Sequence, residues 1–319
     1  MIASSILIPQ GLSLETSSFS DFLTVTPLDN LQMIIDSAQP YATIYLTEGI
    51  YTEQITISTP LTLFAQSKNS TQILVTTEQN KPAITITASN TIIENLTIQN
   101  NGPGIYTTGI RILAEKTTIR NCIFQNTPVG VAIWSSNNTI EHTTFTNCTD
   151  EGIVLLSSSY LLANDNTIDS CTFINNCDGI ELQQSCNNII RNCYFAHNTH
   201  DGIDAIGTDN NDNQIIDCTI INNDVHGIYF SQSKNNHIQN CIIEHNTNAD
   251  VLFNPTDSSN TITYTSVPSD LSSTPIISTT NQDQNISQPH QRSSILIQRI
   301  RQYLFSIVPT ISTIFRFKE

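Results

Sequence analysis

The chain has 319 residues, enough for one large domain or two ordinary ones, and carries 28 acidic against 12 basic side chains, a formal charge of −16. That imbalance excludes a nucleic-acid binder, which needs a basic face to displace counterions, and no apolar run reaches the roughly 18 residues of a membrane-spanning helix. At 38% apolar the chain can build a sizeable core, while its 34 asparagines point to a repeat rather than an ordinary globule.

Residues 1–25 read as a leader. Ile2 to Leu14 is apolar and rich in small residues, like a signal sequence without its basic start. Residues 26–40 predict a short helix, with Thr26 as N-cap, Pro27 at the first helical position and Asp29 at the third. Leu28, Leu31, Ile34, Ile35 and Ala38 would then form one apolar stripe, closed by Pro40. Such a helix is suited to covering the open end of a stack of strands.

Residues 41–264 repeat. The segments beginning at Gly109, Gly130, Gly152, Gly179, Gly202 and Gly227 each continue with an apolar–polar–apolar alternation, and the glycines are 21, 22, 27, 23 and 25 residues apart. Alternation is strand periodicity, and short strands recurring at this interval wind into stacked coils. Ile93, Ile119, Ile140, Ile168, Ile190, Ile215 and Ile238 form one column. Ile98, Phe124, Phe145, Phe173, Phe195, Ile220 and Ile243 form a second. Between them run Leu96, Cys122, Thr143, Cys171, Cys193, Cys218 and Cys241. All three columns are expected to point inward. A fourth column, Asn100, Asn126, Asn147, Asn175, His197, Asn222 and His245, is expected at left-handed corners, with its amides bonded from coil to coil as an asparagine ladder. Nine or ten coils fit this span, a rod of about 45 Å.

This pattern resembles the right-handed parallel β-helix proteins, most closely their NosD-like and CASH (carbohydrate-binding and sugar-hydrolase) branch. The passage from Leu31 through Thr43-Ile44-Tyr45-Leu46, Gln54-Ile55-Thr56-Ile57 and Pro60-Leu61-Thr62-Leu63 is similar to that family's opening helix and first coil. The resemblance implies an all-β solenoid and a polysaccharide or glycan as partner. Copper, associated with the NosD name, finds no soft ligand set here: Met1 and Met33 are the only methionines.

One locus carries candidate chemistry. The residue before each glycine and the outward residue two places after it bring Asp178, Glu181, Asp201, Asp204, His226 and Tyr229, with His200 beside them, onto one surface of successive coils. Asp201, Asp204, His226 and Asp178 are the candidate catalytic residues; Glu181, His200 and Tyr229 are the candidate substrate-binding residues. Asn198 to Asp204 followed by His226-Gly227 resembles the polygalacturonase signature, whose paired acids serve inverting hydrolysis. Against that stands a plain alternative: Asp-Gly-Ile is what this repeat writes at its corner, and the acids then splay into solvent from a flat strip. The leading expectation is therefore a glycan-binding or structural rod without catalysis. A polysaccharide hydrolase, lyase or epimerase working around Asp201 and Asp204 is the alternative. No cofactor and no zinc site are expected, with calcium the one cation the acids would suit.

Residues 265–294 are dominated by Ser, Thr, Asn, Gln and Pro and read as a flexible linker. Residues 295–319 hold Arg299, Arg301, Arg316 and Lys318 among apolar positions, a basic amphipathic helix suited to peripheral contact with an anionic membrane or to docking on the rod. Buried free thiols are expected for the inward cysteines, and Cys177 with Cys186 is the pair that could be bridged. The acidic surface, the leader and the sequons at Asn69, Asn95, Asn137, Asn147 and Asn285 suggest a secreted or cell-surface monomer.

Overall fold

The computed structural model describes residues 21–255 and 259–263. The linker and the basic helix expected after residue 264, and all but the last five residues of the leader, lie outside the described residues. Alternating strands of three to six residues wind into three parallel sheets of eleven, nine and nine strands, each coil contributing one strand to each sheet. This is the solenoid the repeat predicts, of about ten turns. At about 4.8 Å per strand the eleven-stranded first sheet spans about 50 Å.

The inward columns are as expected. Ile119, Ile140, Ile168 and Ile190 stack in register through the first sheet and are fully buried. Phe124, Phe145, Phe173 and Phe195 stack through the second with ring centroids 5.0, 4.9 and 4.6 Å apart and planes within 6° of parallel. Coil spacing and ring thickness nearly coincide, so an aromatic column fills this position without voids. The thiol column does more than fill space. Cys122, Cys171, Cys193, Cys218 and Cys241 each donate Sγ–H to the carbonyl two residues back, at 3.1–3.3 Å. Thr143 Oγ1 makes the same bond at 2.8 Å, which explains why threonine can replace cysteine there. None of the eight cysteines, all of them among the described residues, forms a disulfide, so Cys177 and Cys186 are not bridged.

The corners correct one expectation. Asn126, Asn147, Asn175, His197, Asn222 and His245 do sit at left-handed backbone, with φ between 49° and 61°, but their side chains are exposed; Asn100 is buried and has no positive φ. The ladder lies one residue further on. Asn176, Asn198 and Asn223 each donate Nδ2 to the next coil's asparagine Oδ1 at 3.2, 2.8 and 2.9 Å, ending on Asn246. A longer ladder runs through Asn138, Asn166, Asn188, Asn213, Asn236 and Asn260 at 3.1–3.2 Å. A residue in left-handed backbone turns its side chain outward, and the next one turns in to meet the orphaned backbone N–H groups of the turn.

At the N-terminal end the helix is Leu31–Ser37, with Asn30 rather than Thr26 as N-cap: Asn30 Oδ1 accepts from Met33 N at 2.7 Å. Thr26 and Asp29 close a separate turn, where Asp29 accepts from the Thr26 amide and hydroxyl at 2.8 Å each. Leu28 is consequently 97% exposed and outside the apolar stripe, whereas Leu31, Ile35 and Ala38 are buried. Phe22–Val25, within the expected leader, is a strand paired with Ala42–Leu46. The helix packs against Ile55–Ile57, the end strand of the third sheet, and the Gln32 side-chain amide pairs with both backbone groups of Thr56, at 2.7 and 3.1 Å. An exposed strand edge is thereby blunted by a side chain.

Candidate functional site

The outer face of the third sheet differs from those of the other two. Strands Thr108–Ile112, Val129–Ile133, Glu151–Leu156 and Asp178–Gln183 are buried at every position, on both faces. Ile180 and Leu182 enter the core, so Glu181 between them faces out, in register with Val154 on one side and with Asp204 and Tyr229 on the other. The glycine before each such segment has a steric cause. A Cβ on Gly152 would lie 2.7 Å from the Gly179 carbonyl oxygen and 2.8 Å from Phe173 Cδ1. Because Gly179 and Ile180 both face inward, Asp178 and Glu181 both face out.

Two zones share this face. Toward the N-terminal end Val129, Ala132, Trp134, Val154 and Leu156 form an apolar cluster separate from the core, against which Tyr106, Leu113 and Leu161 pack. Its neighbour is acidic: Glu151, Asp178, Glu181, Asp201 and Asp204 are all at most 3% exposed. The acids do not splay into solvent, contrary to the flat strip expected above.

The acidic zone is organised around two histidines. Asp178 Oδ1 accepts from the Asp201 amide at 2.8 Å and lies 2.6 Å from His200 Nδ1. One coil on, Asp201 Oδ1 accepts from the His226 amide at 2.7 Å and lies 3.0 Å from His226 Nδ1. Asp201 Oδ2 is 3.6 Å from His200 Nδ1, so the first histidine lies between both carboxylates. A carboxylate on Nδ1 fixes the ring's orientation and leaves Nε2 for another partner. The side chains of His200 and His226 are 29% and 15% exposed, whereas Asp178 and Asp201 are fully buried. The His226 ring stacks on Tyr229 with centroids 5.3 Å apart. Burial holds the Tyr229 hydroxyl above its usual range, and the charges of Asp204 and Asp201 add to that.

All seven residues singled out in the sequence therefore fall on this face, and Asp178, His200, Asp201 and Asp204 converge, with one ligand atom of each lying within 4.8 Å of the others. Three carboxylate oxygens and one imidazole nitrogen form a donor set that could hold one divalent cation. Glu181 sits beside the cluster and accepts from Gln183 Nε2. Gln183 and the apolar cluster were missed in the sequence; Trp134, Val154 and Leu156 at outward positions were the signal that could have found the cluster.

A search of curated proteins finds no match to this sequence. Solved structures share the fold at low identity. The alginate lyase from Paenibacillus sp. str. FPU-7 is similar with a TM-score of 0.53 at 14% identity, covering 77% of this chain and 95% of that one. The mannuronan C-5 epimerase AlgE4 A-module of Azotobacter vinelandii gives 0.58 at 15%, covering 73% and 82%. Pectate lyase Pel9A gives 0.53 at 13%, covering 77% and 78%. The family described as the right handed beta helix region matches residues 82–211 and 163–273, which together are more than half of the sequence, and the chain belongs to that family.

Proposed function

We propose that this protein is a carbohydrate-active enzyme that processes a polysaccharide lying along the outer face of the third sheet. The observation that carries the reading is the pair of buried aspartates, one coil apart, each holding a histidine by Nδ1: Asp178 with His200 and Asp201 with His226. An imidazole held by a buried carboxylate on Nδ1 is suited to moving protons, the task that glycan hydrolysis, elimination and epimerisation share. On exposure, His200, His226 and Tyr229 would touch the sugar, while Asp178, Asp201 and Asp204 would act from behind them. The structural neighbours named for lyase and epimerase activity support a glycan as partner, as does the likeness to the carbohydrate-binding and sugar-hydrolase branch. A glycan partner also fits an extracytoplasmic location.

One observation favours a second reading, a glycan-binding rod without chemistry. The Oδ1 atoms of Asp178 and Asp201 each accept a backbone N–H from the next coil, a structural task an asparagine would perform equally well.

The two readings part on Asp201→Asn and His226→Ala. Wild type and both variants would be incubated with alginate, polygalacturonate, xylan and mannan, and products followed as new reducing ends and as the ultraviolet absorbance of a new C4–C5 double bond. The proposal expects turnover on at least one polymer and its loss by about 10²–10⁴-fold in either variant. Binding with no turnover in wild type would favour the second reading, and unchanged turnover in Asp201→Asn would overturn the assignment of the chemistry to this site. Parallel assays with calcium and with chelator show whether the four-residue donor set works through a cation.

A further inference from the structure

We infer that Asp178, His200, Asp201 and Asp204 form a site for one first-row transition dication of the zinc class, and that the imidazole makes the site prefer such an ion to calcium; this goes beyond the glycan-processing reading and stands without it. Two adjacent coils supply the ligands. Asp178 Oδ1 accepts from the Asp201 amide of the next coil at 2.8 Å. His200 precedes Asp201, and because Gly202 and Ile203 turn inward, Asp204 returns to the outer face. One ligand atom from each residue lies within 4.8 Å of the others. A separate observation points into the space between them. Asp201 uses Oδ1 to hold His226, whereas its Oδ2 is buried and accepts no hydrogen bond among the described residues. That oxygen stands 3.6 Å from His200 Nδ1, and the same nitrogen is 2.6 Å from Asp178 Oδ1. Two donors on one ion with bonds of about 2.1 Å sit roughly 3.0–3.4 Å apart, so shifts of about 0.4 Å or less bring these atoms into one coordination sphere.

Charge selects a cation, and the nitrogen selects its class. Asp178, Asp201 and Asp204 are at most 2% exposed. From residue 121 to residue 233 the chain holds a single Lys or Arg, Arg191, and its guanidinium is paired at 2.8 Å with Asp169 on the first sheet. Arg111 shares the outer face of the third sheet, but three coil spacings, about 14 Å, separate it from Glu181 in register, and it donates to the Asn80 carbonyl. Carboxylates packed together in a buried place are stabilised by a cation held among them. Calcium takes about six to eight oxygen ligands and magnesium keeps several of its waters, and neither is suited to imidazole. Zinc takes imidazole nitrogen and carboxylate oxygen together, usually in a tetrahedral set, which matches one histidine with three aspartates. His200, with its side chain 29% exposed, gives the ion a way in. Asp201 would then link the ion on Oδ2 to His226 on Oδ1, an outer-shell contact of the kind that tunes a metal site.

The test uses the full-length protein, stripped with chelator and titrated by calorimetry with zinc, cobalt(II), manganese(II), calcium and magnesium, with bound metal counted by mass spectrometry. The expected result is one zinc per chain, a zinc Kd at least about 100-fold below that of calcium, and an unfolding temperature that rises with added zinc. The cobalt form should absorb in the visible without the near-ultraviolet band of a thiolate ligand, which separates this site from the free cysteines. His200→Ala should weaken zinc binding at least about tenfold, and Cys186→Ser should leave it unchanged. His200→Asp, whose donors are all oxygen, should turn the preference toward calcium. Calcium bound as tightly as zinc, an unchanged zinc Kd in His200→Ala, a thiolate band in the cobalt form, or no zinc bound by wild type would overturn the site. Wild type alone settles zinc against calcium, so the inference is refutable even where a variant fails to fold. No polysaccharide enters these measurements. Zinc bound without turnover of any polymer would support the site and count against the enzyme, and turnover with no zinc bound would do the reverse.

Discussion

Gly152 shows how little tolerance the packing of this rod leaves at a single position. A methyl group there would lie 2.7 Å from the Gly179 carbonyl oxygen, and backbone held in a ladder cannot step aside as a flexible side chain could. Gly152→Ala is expected to destabilise the fold by about 2–4 kcal/mol, read by chemical denaturation, with little effect at an exposed position outside left-handed backbone such as Thr149→Ala. The thiol column makes a different prediction. Burial pushes Cys122 up from 9.0 to about 12. A thiol whose folded pKa is raised lends stability that is intact below the unfolded value and is lost as pH climbs through the folded one. Wild type should therefore weaken between pH 9 and about 12, and Cys122→Val should weaken less over that range. A native-state titration with denaturant at several pH values would check this, and an identical slope in both proteins would count against the buried column.

At the scale of elements, the first helix is held by side chains distant in sequence. Glu53 accepts from the Leu31 and Gln32 amides at 2.9 and 3.1 Å, and Gln32 in turn closes the edge of strand Ile55–Ile57. Glu53→Ala is expected to cost about 1–3 kcal/mol and Gln32→Ala to expose a strand edge, seen as concentration-dependent association in light scattering. These contacts also show where sequence reading stops. Strand columns are legible because their period is enforced at every coil, from Ile93 to Ile238 and from Phe124 to Phe195. The helix start is not, because Thr26 and Asn30 are both good caps and the choice between them is made by Glu53, 22 residues from Leu31. The ladder was placed one residue early because asparagine is common both at the left-handed corner and just after it. The site residues were legible as a column, since Asp178, Asp201 and His226 share a repeat position. Their burial was not legible, because it depends on how His200, His226 and the next coil's backbone close on the carboxylates, which the column pattern does not show.

Over the whole molecule, the repeat accounts for the core and the departures from it mark the candidate face. Two sheets show the plain alternation of buried and half-exposed residues. Four strands of the third are buried on both faces, and the sheet carries, side by side, an outer apolar cluster and a zone of buried acids with histidines in front. The charge of −16 is thus not only a solvated coat: several of its acids are concentrated in one buried patch. Burying carboxylates is costly unless hydrogen bonds or cations compensate them, and a rod that needed only to stand would satisfy these corners with asparagine, as it does at both ladders. That contrast supports the reading of this face as a working site. The most direct test is a crystal structure of the protein soaked with an oligosaccharide that it binds in solution. The account predicts a sugar chain running along the rod over the third sheet, with a ring within hydrogen-bond reach, about 2.6–3.2 Å, of His200 or His226 Nε2 and beside Tyr229. A sugar seated on the first or second sheet, with both histidines untouched, would contradict it.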